Sequence, residues 1–494
     1  MIPNPAAIFA NLNPPAVWRH FATLSTIPRP SKHEAALVAH LAAWAKAHGI
    51  AARTDAVGNL ILSKPATPGR ENAPGIILQG HLDMVCQQVS GHTHDFQRDP
   101  ITPEIEAGWL LARRTTLGAD NGIGVALALA ALEDERLPHG ALEVLLTVDE
   151  EAGMGGAHGL QAGSLRGRVL LNLDTEEWGA FYLGCAGGVT VEACLPVAAT
   201  PAPADWQGAE LRVDGLLGGH SGIDIHLPRA HATRVLLATL LQLPQQFEVA
   251  ALSGGDAINA LPRSASALLA LPPEAYPALA DAARQAEIAL RQQWREEPGL
   301  RLSLTPAPRP EQNLSEWREL FAALLALPYG VAAMSADFHG VVETSNNLAP
   351  LDIAPAGARA SFLARSLLDT ERDKLAGRIV RQIEQRGGTA EAQGAYPGWT
   401  PDPDSPLLQR CLSIYQQEFG HRPRLEVIHA GLECGLFARS HPQLAMLSFG
   451  PDIRGAHAPG ERVNIASVDK CWQLLTRLLD QLSVPEDRKL RTED

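Results

Sequence analysis

Two hydrophobic periods alternate along this chain. Short apolar runs at residues 75–79, 141–148, 168–173 and 444–449 each stop at a polar or acidic cluster. Runs of this length, bounded by turn residues, read as buried strands. Other stretches have helical spacing, among them 125–133, 406–419 and 467–482. Near the start, Pro28-Arg29-Pro30 closes one helical segment and Ser31 opens another, with Glu34 three residues on as in a capping box. That helix carries the stripe Leu37, Leu41, Trp44 and stops at Gly49. Two short strands are expected in 51–63 around Val57-Gly58-Asn59, a loop at 64–73 and an irregular excursion at 91–114. Strands alternating with helices predict an α/β fold whose central sheet is mostly parallel.

The pattern changes after Gly187-Gly188. Residues 189–196 and 209–213 read as strands of a different sheet, joined by a Pro/Ala-rich connection. Then Gly218-Gly219-His220-Ser221-Gly222-Ile223-Asp224 precedes a helix at 229–243. Asn259-Ala260-Leu261-Pro262 and Asn347-Leu348-Ala349-Pro350 each lead into an alternating strand and then a helix, 274–296 and 369–386. This weak internal repeat suggests a duplicated α+β unit. The Pro/Gly-rich residues 394–403 read as a return linker. The expected division is therefore a first domain made of 1–187 and 398–494, interrupted by an inserted α+β domain at 188–397.

Length and composition agree with more than one domain: 494 residues, 46% of them hydrophobic, allow two or three cores. The net charge of −14 argues against nucleic acid and against a polybasic membrane surface. Residues 1–12 lack the basic flank and apolar core of a signal peptide, and no apolar run is long enough to span a bilayer. Six scattered cysteines with no Cys-x-x-Cys pair make a disulfide framework or a cysteine zinc site unexpected. A cytoplasmic protein is expected, with a mobile charged tail at 485–494.

The candidate chemistry stands where the apolar runs stop. Gly80-His81-Leu82-Asp83 follows one run, Asp149-Glu150-Glu151 another, and Asp174 a third; Asp120 begins a helix and His457 lies in a Gly/Pro loop. Open α/β sheets place their chemistry just beyond the carboxyl ends of strands. Taken singly, each has an ordinary role: Asp120 an N-cap, Asp149-Glu150-Glu151 an acidic first helical turn, His81 a core histidine. Together they share one strand-then-polar placement. Five of them could ligate metal, two imidazoles and three carboxylates, a mixture that suits zinc, and manganese or cobalt less specifically. Two cations sharing one carboxylate use all five, at the roughly 3.5–4 Å spacing of two-metal hydrolases. The glycines of 118–124 match neither the Walker spacing nor Gly-x-Gly-x-x-Gly, which argues against a nucleotide.

The segments Gln79-Gly80-His81-Leu82-Asp83-Met84-Val85, Leu117-Gly118-Ala119-Asp120-Asn121-Gly122, Thr147-Val148-Asp149-Glu150-Glu151-Ala152-Gly153-Met154 and Asn172-Leu173-Asp174 resemble the M20 metallopeptidases. Their wording is similar to the aminoacyl-histidine (Xaa-His) dipeptidase branch. So are Ile27-Pro28-Arg29-Pro30-Ser31-Lys32-His33-Glu34, Gly219-His220-Ser221-Gly222 and Arg454-Gly455-Ala456-His457. The resemblance spans nearly the whole chain. It implies a zinc-peptidase-like catalytic domain interrupted by a lid and dimerisation domain. It further implies two Zn2+ per subunit, replaceable by Co2+ or Mn2+. Asp120 would bridge them, with His81 and Asp174 on one and Glu151 and His457 on the other. Asp83 would orient His81, and Glu150 would be the general base. His220 would steady an oxyanion, in its own or a partner subunit, and Arg365 would hold the substrate's carboxylate. Asn259, Asn347 and Glu433 are further substrate candidates, Glu433 for the substrate's amine.

The expected activity is hydrolysis of small unblocked dipeptides such as Xaa-His by a homodimer. The alternative is an M20-type amidohydrolase acting on N-acyl amino acids. A serine hydrolase using Ser221 lacks the Gly-x-Ser-x-Gly elbow. A catalytically dead scaffold would have lost ligands, and here the set is complete.

Overall fold

A computed structural model describes residues 8–244 and 246–484. The charged tail and the first residues of the 1–12 segment lie outside the described residues. The chain divides into two compact units: 1–184 with 401–427 and 433–494, and 185–400 with 428–432.

Among the described residues the first unit is organised by an eight-stranded sheet. Its order is Ala51–Thr54, Leu60–Lys64, Leu142–Thr147, Ile76–His81, Val169–Asn172, Ala445–Ser448, Ala180–Cys185 and Arg424–Ile428. The middle four strands run parallel: Ile76–His81 pairs with Leu142–Thr147 on one side and Val169–Asn172 on the other, and Ala445–Ser448 follows. Leu60–Lys64 joins Leu142–Thr147 antiparallel, so the sheet is parallel at its heart and mixed at its edges. Ile76–His81 and Leu142–Thr147 are buried at every position, which requires cover on both faces.

The helix Ala119–Glu133 packs on those two strands and is buried nearly all round. Gly124 allows the close approach: a Cβ there would lie 2.4 Å from the Leu173 carbonyl oxygen. The helices Pro15–Thr26 and Ile465–Leu482 pack against it in turn. A four-stranded sheet of Ile453–Arg454, Arg462–Asn464, Trp109–Leu111 and Glu104–Glu106 gives the irregular 91–114 segment some order. Helices at Pro406–Phe419 and Ile465–Leu482 fall where the periodicity puts them.

The capping box does not form. The helix is Ala35–Ala47, with Glu34 at its N-cap and no side-chain cap. Ser31 instead donates to Asp83, and Glu34 Oε1 accepts the Lys32 and Asp149 amides. Tertiary partners have outbid the local ones.

The second unit is built on a nine-stranded antiparallel sheet. Strands such as Gly187–Leu195 and Gln207–Asp214 alternate buried and exposed residues, so one face is covered and the other is solvated. The helices Ala232–Gln242, Tyr276–Gln293, Trp317–Leu325 and Asp369–Glu384 share its apolar core. The two Asn-x-x-Pro segments are not equivalent. Ala260–Leu261 pairs with Gly219–His220, whereas Asn347-Leu348-Ala349-Pro350 lies inside the long strand Val342–Ala354, at a register shift. Proline is tolerated inside a sheet at such irregularities. Residues 394–396 belong to the strand Thr389–Tyr396, not to a linker. Among the described residues no helix is long and apolar enough to cross a membrane.

Candidate functional site

The strand ends deliver most of the candidates to one place. His81 ends the strand Ile76–His81, and Asp83 follows in the turn. Glu150 and Glu151 follow Leu142–Thr147, and Asp174 follows Val169–Asn172. Three neighbouring parallel strands thus end on one rim. Asp120 sits in the first turn of Ala119–Glu133 with extended φ/ψ of −77° and 116°, and its bond to Asn121 is cis. His457 lies in the loop after Ile453–Arg454, with φ of 63°.

Asp120 is the centre of the cluster. Its Oδ1 is 3.1 Å from His81 Nε2 and its Oδ2 3.1 Å from His457 Nε2. His81 Nε2 is also 3.4 Å from Asp174 Oδ1, and His457 Nε2 is 3.1 Å from Glu151 Oε1. His81, Asp120 and Asp174 bring ligand atoms within 4.8 Å of one another, as do Asp120, Glu151 and His457. The two groups share only Asp120. His81, Glu150 and Glu151 form a third such group.

Asp83 stands behind His81, its Oδ1 3.4 Å from Nδ1. It accepts the Ser31 hydroxyl at 2.7 Å and the amides of Glu150 and Glu151 at 3.0 and 3.1 Å. One carboxylate therefore touches the back of the imidazole and both glutamate backbones. Burial pushes the Asp83 carboxyl up, but His81, the Ser31 hydroxyl and the Glu150 amide together hold it down at about 2.

The charges in the cluster are out of balance without further positive charge. Burial drives Glu150 well above the usual carboxylate range, aided by Asp174, Glu433 and Glu151 and opposed by His81. Burial, eased by His81, raises Asp174 to about 6. The hydrogen bonds to Asp120 and Glu151 lift the His457 imidazole to about 11. His81 is raised despite its burial, through Asp174, Asp120 and Asp83. Protons on imidazoles and carboxyls do here what bound cations can do instead. Glu151 Oε1, buried and close to His457, makes no hydrogen bond of proper geometry, which leaves a lone pair for a cation. Two imidazoles and three carboxylates around a shared Asp120 fit a pair of divalent ions.

Several side chains support the site in ways the sequence does not show, and Glu433, expected to meet the substrate's amine, is one of them. Glu433 Oε2 accepts from Gln79 Nε2 at 2.6 Å and Thr147 Oγ1 at 2.7 Å, and Asn172 Nδ2 donates to Gln79 Oε1. This network crosses the three strands that carry His81, Glu150 and Asp174. Glu433 is 1% exposed and its Oε1 has no hydrogen-bond partner; burial raises its carboxyl to about 8. Asn121 Nδ2 donates to the Leu173 carbonyl at 2.8 Å, tying the helix start to the residue before Asp174.

His220 and Arg365 belong to the second unit. His220 Nδ1 accepts the amides of Gly222 and Ile223 at 3.2 and 3.0 Å, which leaves the proton on Nε2. Burial and then Arg365 lower this imidazole to about 4, so it is neutral at physiological pH. Arg365 is buried; Nη1 donates to the Tyr396 hydroxyl at 2.6 Å, and Nε has no hydrogen-bond partner. His429 accompanies them, bonded to Ser345 at 2.7 Å. Asn347 donates to the carbonyls of Ile258 and Ala260, and Asn259 gives its carbonyl to Ser221 N. These contacts hold the His220 turn in shape. The Ser221 hydroxyl is buried at 3.5 Å from the Ile258 carbonyl, an acceptor that cannot take its proton.

Residues 77–481 match the model of peptidase family M20/M25/M40. Over 478 residues the chain is 41% identical to the cytosol non-specific dipeptidase of Escherichia coli (strain K12), covering 96% of this chain and 99% of that one. It is also similar to the crystal structure of aminoacylhistidine dipeptidase from Vibrio alginolyticus. There the TM-score is 0.83 and the identity 40%, over 96% of this chain and 97% of that one. An aminopeptidase from Bacillus cereus, 16% identical, shares the fold at a TM-score of 0.55 over 96% and 99% of the two chains.

Proposed function

This chain belongs to peptidase family M20/M25/M40, and from that premise we propose that it hydrolyses unblocked dipeptides, Xaa-His among them, with the help of two divalent cations. The observation that carries this reading is the placement of Asp120, one carboxylate oxygen 3.1 Å from His81 and the other 3.1 Å from His457. Asp120 would hold both cations, His81 and Asp174 completing one set of ligands and Glu151 and His457 the other. Zinc suits this donor set best, with cobalt or manganese as substitutes. Once bound, such a pair supplies Lewis acidity that brings the pKa of water down towards about 7 and polarises an amide carbonyl.

The chain's own residues do the rest. Glu150 takes the proton of the attacking water as the new C–O bond forms. It returns that proton to the nitrogen as the C–N bond breaks, so the amine leaves neutral. A base is most effective with a pKa near the working pH, and burial has already moved Glu150 upwards in that direction. Asp83 fixes the His81 ring and both glutamate backbones. The family resemblance assigns His220 to the oxyanion, and its neutral Nε2–H would be the donor. Arg365 offers its guanidinium to the free carboxylate of the substrate. We read the second unit as the lid and as the surface of a homodimer, and the protein as cytoplasmic.

Metal analysis combined with a substrate panel tests this reading. Xaa-His dipeptides, other dipeptides and N-acetyl amino acids would be assayed with and without chelator. The expected result is two bound ions and chelator-sensitive cleavage of free dipeptides. Preferential cleavage of N-acetyl amino acids would move the chain to the amidohydrolase reading; chelator-resistant turnover would sink the metal mechanism.

A further inference from the structure

Pro28-Arg29-Pro30 stands outside the chemistry assigned so far, yet its arginine is 3% exposed. Arg29 Nη1 donates to the carbonyls of Leu82 and Asp83, both at 2.9 Å, and Nη2 to that of Gly118 at 2.5 Å. Glu461, 2% exposed, closes the same turn from its amide side. Its Oε2 accepts Leu117 N at 2.7 Å and Gly118 N at 3.0 Å; its Oε1 accepts Ala119 N at 2.7 Å and Asp120 N at 3.2 Å. Gly118 thus gives its carbonyl to the cation and its amide to the anion. It adopts φ of 68°, and a Cβ there would lie 2.4 Å from Arg29 Nη2.

These contacts fall where the sheet has no hold. Backbone pairing links the strands that end in His81, Glu150 and Asp174. Asp120 and His457 come from outside that ladder, one from a helix start and one from a loop. Arg29 joins the His81–Asp83 turn to the Asp120 turn. Glu461, four residues after His457, joins the Asp120 turn to the His457 loop. That loop is further tied down by Gly460 N to Ala112 O at 2.9 Å and Ala112 N to Glu461 O at 3.2 Å. Burying a guanidinium and a carboxylate is costly and needs many partners in return. Four amides fill the acceptor sites of the Glu461 carboxylate, and three carbonyls take three of the five donors of the Arg29 guanidinium. Charge-assisted bonds are about twice as strong as neutral ones, which gives the turn a stiff setting.

We propose that Arg29 and Glu461 form a buried clamp on the Gly118 turn that sets the distances from Asp120 to His81 and to His457, and through them the affinity for the shared pair of cations. The two are positioning residues, and the proposal rests on the two-metal reading above.

Cobalt(II) titration, with chelator competition and the absorption spectrum of the bound ion, tests it on five proteins: the parent, Arg29→Lys, Glu461→Gln, the double variant of these two and the control Glu297→Gln. Glu297 is equally buried and accepts the amides of Leu217 and Ala230 in the second unit, so its loss measures a purely structural effect. Arg29→Lys and Glu461→Gln are each expected to weaken at least one ion about tenfold or more and to shift the cobalt spectrum. The double variant should lose less than the product of the two, because both hold one turn. Glu297→Gln should lower Tm and leave cobalt affinity and spectrum at parental values. If Glu461→Gln does not fold, Arg29→Lys and Gly118→Ala carry the same test. A parent that takes up two ions while the folded variants match it in affinity and spectrum overturns the clamp alone. A parent that binds no ion pair overturns the two-metal reading, and the clamp with it.

Discussion

The hydroxyl of Ser31 lies 2.7 Å from Asp83 Oδ2 and donates to it. The serine therefore supports the carboxylate behind His81. Ser31→Ala removes one neutral-to-charged hydrogen bond, a loss on the order of 1–3 kcal/mol in holding that carboxylate. Metal affinity and turnover should fall by up to about tenfold, and Asp83→Asn by about 10–100-fold. Metal titration and kcat on both variants check this. Parental metal binding in a folded Asp83→Asn would remove Asp83 from any part in orienting His81.

Glu150 carries the proton in the proposed reaction. Glu150→Gln keeps the size of the side chain and loses the base. Turnover is expected to drop by about 10²–10⁴ while the variant still binds two metal equivalents. Metal content by elemental analysis, alongside kcat on an Xaa-His dipeptide, separates base from ligand. Parental kcat would show that the proton moves elsewhere.

Metal and pH should act in opposite senses on stability. In the metal-free protein His457 is raised to about 11, Glu433 to about 8 and Asp174 to about 6. Each folded pKa lies above its unfolded value, so each contribution is full below the unfolded pKa and is lost as pH rises through the folded one. Metal-free Tm should therefore decline from about pH 5 towards pH 9. Cations bind the deprotonated ligands, so they gain as those protons leave. The Tm difference between loaded and chelated protein should widen across this range. Calorimetry at several pH values checks it; a constant or shrinking difference would mean that His457 and Asp174 are not ligands.

Glu433 should matter for stability through the partners it satisfies. Glu433→Ala takes from Gln79 Nε2 and Thr147 Oγ1 their shorter acceptor and leaves each a longer one, Thr147 Oγ1 and Gly80 O, at 3.3 Å. The cost is on the order of 1 kcal/mol for each hydrogen bond lost. Glu433→Gln should cost less, since burial already favours the neutral acid. Denaturant unfolding of the two variants gives the comparison. Equal losses in both would mean that charge, not the hydrogen-bond network, is what this position supplies.

Much of the molecule was legible from one sequence. The run at 141–148 became the strand Leu142–Thr147, and the alternation of strands and helices became a sheet with a parallel centre. His81, Asp120, Glu151, Asp174 and His457, which the fold brings into one cluster, were picked out because each follows a local signal, the end of an apolar run, the start of a helix or a Gly/Pro loop. The sequence misled where two partners compete on similar terms. Ser31 and Glu34 have the spacing of a capping box, but Asp83 and Asp149 are nearer in the fold, and a hydrogen bond of about 1 kcal/mol is worth the same over either separation. The Asn347 segment looked like a strand start and lies within a strand, because register belongs to the pairing and not to the segment.

The chain's periodicity, then, settled which segments are buried and where polar side chains emerge from them, since burial follows from the order of residues along a few turns or strands. The tertiary structure alone decided that Arg29 and Glu461 meet at Gly118, that Glu433 and Gln79 together tie three strands, and that Asp120 lies between His81 and His457. Those partners are hundreds of residues apart in some cases, and nothing in local spacing encodes which distant group will fill a buried hydrogen-bonding vacancy.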